Sequence, residues 1–299
     1  MIGNRWQALL SRPGVVLADG AMGTMLFESG LQFGDPPERW NLEYPDRVRS
    51  IHRGYLEAGS RLILTNTFGG NRFRLGLHGL EGRVAELNLA GALVARAEVE
   101  AYGSEALVAG DIGPSGSILA PLGETTFEEA AAGFNEQARA LLKGGVDVIW
   151  IETMSDLEEM RAAMEGVRQA SPDVPLLTTM TFDTRGHTMM GVSPLQAVTS
   201  LRTWGASAIG GNCGNGPEEI LGVLEKMHAA APEVVLVAKA NAGMPVLVKG
   251  RAVYGATPEA MGDYARAAAG FGARVIGACC GSTPAHLRAM AEALTGRLV

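Results

Sequence analysis

The stretch FEEAAAGFNEQARALLKGGVDVIWIET, residues 127–153, carries one structural period of this chain. Its first part spaces apolar residues helically among Ala, Glu and Arg and leaves through Gly144 and Gly145. The second, VDVIWIET, is an almost unbroken apolar run ending on Glu152 and Thr153. An amphipathic helix that exits through glycine, followed by a strand apolar on both faces, is the unit from which buried parallel sheets are built. The alternation extends in both directions. VVLADG (15–20), RLILTNTF (61–68), ALVAGDIG (106–113), PLLTTMTF (175–182), ASAIGGNC (206–213), VVLVAKANAG (234–243) and RVIGACCG (274–281) bring the runs to eight. With helical segments such as TPEAMGDYARAAAGFG between them, they predict an α/β fold, a single (β/α)8 TIM barrel from Val15 to a last helix near Leu298. No linker or composition shift divides residues 1–299, so one domain is expected. Residues 26–50, with Pro36, Pro37 and Pro45, read as a loop excursion over one barrel mouth.

Composition narrows the function classes. At 47% hydrophobic and 19% charged, 299 residues bury a large core without disulfides. A net charge of −7 supplies no basic footprint for a phosphate backbone, which argues against nucleic acid as a partner. No stretch of about 18 uncharged apolar residues occurs, and MIGNRWQALLSRPG lacks the apolar core and cleavage site of a secretory signal. No membrane association is expected, and the three cysteines, an odd number, suit a reducing compartment. A soluble, cytoplasmic protein is the expectation. The glycines of GNCGNG and ADGAMG complete neither a P-loop nor a dinucleotide fingerprint.

Polar residues concentrate where the runs end: Asp19, Asn66, Asp111, Glu152, Asn212, Cys213, Lys239, Asn241, Cys279 and Cys280. In a barrel those ends surround one mouth, where active sites are built. Strand ends also turn polar merely because loops begin there, but that does not account for carboxylates, amides and thiols arriving together. Cys213 by itself also reads as a small buried hydrophobe. Cys279 and Cys280 are different, because a vicinal pair is poorly placed for a disulfide. Adjacent strand residues point to opposite faces, so the two share a metal only if the strand stops there and Gly281 lets the chain turn. Three thiolates suit zinc and leave one exchangeable position, the mark of a catalytic site. Lys239 at a strand end offers a rival reading, a Schiff-base lysine of an aldolase-type barrel. That reading leaves the cysteines unexplained. His286, after STP, is expected to brace the last helix.

GGNCGNGPEE and IGACCGSTPAHL, with LADGAMGTML, ILTNTFGGNR, GDIGPSG, WIETMSD and KANAGMP, resemble the homocysteine S-methyltransferase family over essentially the whole chain. That family comprises the betaine-dependent enzymes and the homocysteine-binding module of cobalamin-dependent methionine synthase. The resemblance implies a (β/α)8 barrel with zinc on Cys213, Cys279 and Cys280. It also implies that Asp19 and Glu152 hold the homocysteine amino group and that backbone amides near Gly20 and Ala21 receive its carboxylate. Asn241 becomes a candidate weak fourth zinc ligand. Asn66, at the end of its run, is a further candidate for substrate contact.

The chemistry has a physical reason. A thiol of pKa near 8.5 is only a few per cent ionised at neutral pH, and a metal deprotonates it outright. The expected reaction is methyl transfer to homocysteine, giving methionine. Its donor is either a small onium compound such as betaine or S-methylmethionine, or a methylcorrinoid protein acting in trans. An onium group calls for aromatic faces, and Phe27, Phe33, Trp40, Tyr44 and Phe68 lie near the expected mouth. Gly69 and Thr153 stand where betaine enzymes of the family carry tyrosines, and no DxHxxG corrinoid-ligating pattern occurs. A non-catalytic zinc- and homocysteine-binding module is the remaining alternative.

Overall fold

A computed structural model describes residues 3–103, 105–248 and 251–295. Its strands are β1 (Val16–Leu17), β2 (Leu62–Leu64), β3 (Leu107–Ile112), β4 (Val148–Met154), β5 (Leu176–Met180), β6 (Ala208–Cys213), β7 (Leu236–Ala240), β8 (Val246–Val248), β9 (Arg251–Val253) and β10 (Ala273–Ala278). Eight of them form one parallel sheet in the order β1-β10-β7-β6-β5-β4-β3-β2. The two edges meet at a parallel bridge between Ala18 and Leu62, where Asp19 N donates to Leu62 O at 3.0 Å and Arg61 N to Leu17 O at 2.7 Å. The sheet therefore closes into the expected (β/α)8 barrel, and each of the eight apolar runs contributes one strand.

The opening stretch shows how each unit forms. Thr126 Oγ1 accepts from Glu129 N while Glu129 Oε2 accepts from Thr126 N at 2.8 Å, a capping box that starts the helix Phe127–Lys143. Phe134, Gln137, Ala138 and Leu141 fall on one face of that helix and are buried. Gly145, at φ +83, then turns the chain into β4.

Alternation along the strands separates two apolar layers. Ile63, Val108, Ile149, Ile151, Leu176, Ile209 and Ile276 pack outward with the helices. Leu62, Leu64, Leu107, Val148, Trp150, Leu177, Ala208, Val237 and Val275 fill the lumen. A side chain two residues beyond a lumen position also faces the lumen. Asp111, Glu152, Asn212, Lys239 and Cys279 continue the series of Leu107, Val148, Ala208, Val237 and Val275 in this way. The lumen is thus apolar at its floor and polar at its mouth.

Several elements differ from the sequence reading. Residues 26–50, of which Pro36, Pro37 and Glu38 line the cavity at the barrel mouth, are not a plain loop. They include the 3-10 turn Pro37–Arg39, the helix Trp40–Glu43 and the start of the first barrel helix, Pro45–Glu57. Buried Leu31, Trp40 and Val48 explain the order, since that much apolar surface is not left in solvent. The N-terminal segment forms a helix, Gly3–Leu10, whose Trp6 and Leu9 close the lumen floor. An unforeseen antiparallel hairpin, β8–β9, follows β7, with Val246, Leu247 and Val253 exposed. The last helix is Pro284–Thr295, and Leu298 lies outside the described residues. Among the described residues, no helix is long and apolar enough to cross a membrane.

The β6–β7 pairing depends on Gly210. A Cβ there would lie 1.8 Å from Val237 O, whereas one at Gly222 in the helix Pro217–Ala230 meets nothing within 4 Å. Gly210→Ala is expected to destabilise the fold by about 3 kcal/mol or more. Gly222→Ala should be neutral or gain up to about 1 kcal/mol. Urea denaturation of the two variants checks this, and equal midpoints would count against the packing argument.

Candidate metal and substrate site

β6 ends on Cys213, and β10 stops one residue short of Cys279. Gly281, at φ +79, lets the chain turn there. Cys279 N donates to Ala240 O at 2.7 Å and Ala242 N to Cys280 O at 2.9 Å, which ties the turn to the end of β7. The result is a cluster in which Cys213 Sγ and Cys279 Sγ are 2.8 Å apart and all three sulfurs lie within 4.8 Å of one another. A tetrahedral ion with sulfur at about 2.3 Å spaces its sulfurs about 3.8 Å apart. Shifts of about 1 Å bring the cluster to that geometry.

Cys213 is held in an unusual conformation. Its φ is 57°, and that of Thr153 is 66°, both in the left-handed region that non-glycine residues rarely adopt. Asn212 links the two. Its Oδ1 accepts from Thr153 N at 2.8 Å, and its Nδ2 donates to Thr153 Oγ1 at 2.7 Å and to Cys213 Sγ at 3.4 Å. Asn241 donates through Nδ2 to Gly214 O at 2.8 Å, while its Oδ1 is buried without a hydrogen-bond partner. Asn241 thus sits one residue past the end of β7 with a buried amide oxygen that nothing else engages. The thiols also share protons. Hydrogen bonds from Cys213 and Cys279 pull Cys280 down to about 3, and the bonds to Cys279 and Cys280 push Cys213 well above the usual thiol range. A soft cation bound there takes the place of those protons.

The cysteines share a cavity of about 280 Å³ with Asp19, Asp111, Glu152 and Lys239. That is near the lower bound of about 300 Å³ for small-molecule sites, which limits the occupant to a small molecule. Lys239 Nζ lies 3.3 Å from Glu152 Oε2, 3.6 Å from Asp19 Oδ1 and 5.3 Å from the centroid of the Trp150 ring below it. Burial lowers its affinity for the proton, but Glu152 and Asp19 outweigh burial and hold the ammonium well above its ordinary pKa. The two ion pairs make Lys239 a charge partner of the carboxylates, which counts against the aldolase-type reading.

Three carboxylates face this single cation. Burial pushes Asp19 up to about 7 against the pull of Lys239. Burial, then the charge of Glu152, raises Asp111 well above the carboxylate range, and burial raises Glu152 as well. Asp19 Oδ2 accepts from Leu64 N at 2.8 Å, but Asp19 Oδ1 and Asp111 Oδ1 are buried with no hydrogen-bond donor. The cluster therefore has capacity for a second cation carrying N–H donors.

The other expected site residues are placed differently. Gly20 packs so closely that a Cβ would lie 2.5 Å from Ser282 Oγ, and Ala21 N already donates to that hydroxyl at 3.0 Å. Asn66 lines the cavity, yet its Nδ2 donates to Pro37 O at 2.8 Å and to Asn41 Oδ1 at 3.0 Å, tying the 36–41 segment to β2. Of the aromatics near the mouth, Phe68 lines the cavity. Trp40 and Tyr44 pack against each other and against the Arg47 guanidinium, 5.0 and 4.8 Å from their centroids. Phe33 is 96% exposed. Glu38 is buried in the cavity wall and accepts from Gly69 N at 2.7 Å, a role that nothing in its local sequence signals.

A raised carboxylate makes stability depend on pH. Between about 4 and about 7 the folded chain keeps a proton on Asp19 that the unfolded chain has released, so stability falls as pH rises through that window. Asp19→Asn is expected to flatten this fall, measured as urea midpoints at pH 5 and pH 8. A variant whose midpoints drop as steeply as those of the parent would show that Asp19 does not hold the proton.

Comparison with known proteins agrees with this geometry. The chain is 36% identical to the methionine synthase of Mycobacterium tuberculosis over 94% of its own length, and it spans 24% of that relative. A methionine synthase of Mycobacterium leprae is 35% identical over the same shares. The metallated form of the homocysteine methyltransferase MmuM from Escherichia coli superposes with a TM-score of 0.80 at 27% identity, covering 96% of this chain and 99% of that one. The family model for homocysteine S-methyltransferase matches residues 16–294, so the chain belongs to the homocysteine S-methyltransferase family.

Proposed function

We propose that this barrel transfers a methyl group to the thiolate of homocysteine, giving methionine, at a zinc ion bound by Cys213, Cys279 and Cys280. The observation that carries this reading is the meeting of three sulfurs and a cation-deficient acid cluster in one small cavity. Zinc bound there would hold an incoming thiol as thiolate at neutral pH. Asp19 and Glu152, with Asp111 behind them, bind the substrate ammonium, and Lys239 keeps two of these carboxylates apart and oriented. The substrate carboxylate comes to the Gly20–Ala21 turn, where it competes with Ser282 Oγ for the Ala21 amide. Asn241 Oδ1 serves as the displaceable fourth ligand. In the transfer, the sulfur–carbon bond forms as the donor–carbon bond breaks, and the donor leaves with the electron pair. Alignment of the two reactants is the protein's main contribution. A thiol lacking the ammonium leaves buried carboxylates unpaired, which selects against it.

The donor reading follows from the walls. Among the described residues, Phe68 is the phenyl face in the cavity lining and the Trp40–Tyr44 pair is already covered by Arg47, so no aromatic cage for an onium methyl is assembled from them. This favours a donor presented at the mouth, a methylcorrinoid protein acting in trans, over betaine or S-methylmethionine. A panel of these donors, assayed for methionine, tests the choice. Turnover with betaine alone would reverse it. No turnover with any donor, alongside intact zinc and homocysteine binding, would favour the non-catalytic module.

Cys279→Ser is expected to lower zinc content and reduce transfer by at least about 100-fold while leaving the barrel folded, as a catalytic ligand requires. Zinc analysis, circular dichroism and turnover on one preparation check this, and full activity in that variant removes the zinc mechanism. Glu152→Gln is expected to raise the homocysteine KM about tenfold or more with a smaller effect on kcat. Normal KM in a poorly folding variant would instead assign Glu152 to the scaffold.

A further inference from the structure

Tyr254 directly follows β9 and has no part in the chemistry described above. Its ring lies against the backbone of Gly281: a Cβ at that glycine would be 2.2 Å from Tyr254 Cγ and 2.3 Å from its Cβ. The contact places the ring against the turn that carries Cys280, and after burial it is the charge of Cys280 that holds the phenol's proton above its ordinary range. The segment that carries Tyr254 is itself held. Ala256 N donates to Ala242 O at 2.9 Å, and Ala242 N donates in turn to Cys280 O at 2.9 Å. Thr283 N donates to His286 Nδ1 at 3.1 Å, so the ring proton sits on Nε2, which donates to Ala256 O at 3.0 Å. His286 thus braces the start of the last helix, as its position after STP suggests, and also reaches across to the Tyr254 segment.

We propose that Tyr254 is a positioning residue of the metal centre, donating its hydroxyl hydrogen bond to the Cys280 sulfur, and that His286 holds the Tyr254 segment in register for it. The inference rests on the three-cysteine metal reading and adds a group outside the ligand set. A hydrogen bond to a metal-bound thiolate fixes the ligand's rotamer and withdraws charge from it. The remaining thiolates and the metal then share less negative charge with the substrate sulfur. Gly281 is required for a second reason besides its φ, because any side chain there would displace the tyrosine.

Cobalt(II) substitution tests this without turnover. In the parent protein, thiolate-to-cobalt charge-transfer bands are expected. In Tyr254→Phe, which keeps the ring and its packing, the bands should move to longer wavelength, because a sulfur without its hydrogen bond holds its electrons less tightly. Cobalt retention against a competing chelator should fall about 10-fold or more. His286→Leu should move both readouts the same way, and His286→Gln, whose amide can still donate to Ala256 O, should restore them. Parent-like bands and retention in Tyr254→Phe overturn the proposal. A shift in Tyr254→Phe with none in His286→Leu overturns the bracing role. Absence of charge-transfer bands from the parent protein overturns the metal reading and this proposal with it, so the two failures are told apart.

Discussion

One ammonium set among three buried carboxylates governs the mouth of this barrel. At an effective dielectric of about 20, a pair such as Lys239 and Glu152 gains about 4–5 kcal/mol. Each ion loses several kcal/mol on leaving water. The pairs made by Lys239 with Glu152 and Asp19 therefore come close to balance, and Asp111 has no cation left to meet it. Such a site takes up a proton, or it takes up a ligand that brings positive charge with it. Under the proposed function, the α-ammonium of homocysteine meets that need.

The acid cluster and the sulfur cluster are parts of one rigid object. Glu152 is followed by Thr153 and Cys213 is preceded by Asn212, and Asn212 and Thr153 exchange two hydrogen bonds. Those bonds support left-handed conformations at Thr153 and Cys213 that cost about 1–3 kcal/mol each. The same pair of residues thereby links the acid cluster to the sulfur cluster. Under the proposed function, a substrate is then measured by the distance between its amino group and its thiol. On the far side of the sulfurs, the hydrogen bonds from Ala242, Ala256 and His286 hold the Cys279–Gly281 turn against the segment after β9.

Tertiary context changed the meaning of several residues that looked alike in sequence. Asn66, Asn212 and Asn241 each stand near a strand end. Asn66 spends its amide nitrogen on the 36–41 segment, Asn212 positions a cysteine, and Asn241 keeps a buried oxygen free. Lys239 reads equally as nucleophile or ion-pair partner until Glu152 and Asp19 are seen beside it. The Ala21 amide looks available until Ser282, more than two hundred residues away in sequence, is found on it. The prolines of the 26–50 segment suggested a loop, while its apolar residues, buried by the barrel it covers, made it largely helical.

The sequence by itself determined the eight strands, the helices between them and the side chains that share the lumen, because hydrophobic periodicity is local and the two-residue repeat of a strand carries each face upward to Asp111, Glu152, Lys239 and Cys279. It also set the condition that Cys279 and Cys280 share one ion only if the CCG turn leaves the strand, since adjacent residues of an extended chain face opposite ways. Only the tertiary structure decided distances across the mouth: sulfurs within 4.8 Å, an ammonium 3.3 Å from Glu152, and a tyrosine over Gly281. Those separations follow from closure of the sheet at Ala18 and Leu62, a non-local event to which every strand contributes and which no single stretch of the chain encodes.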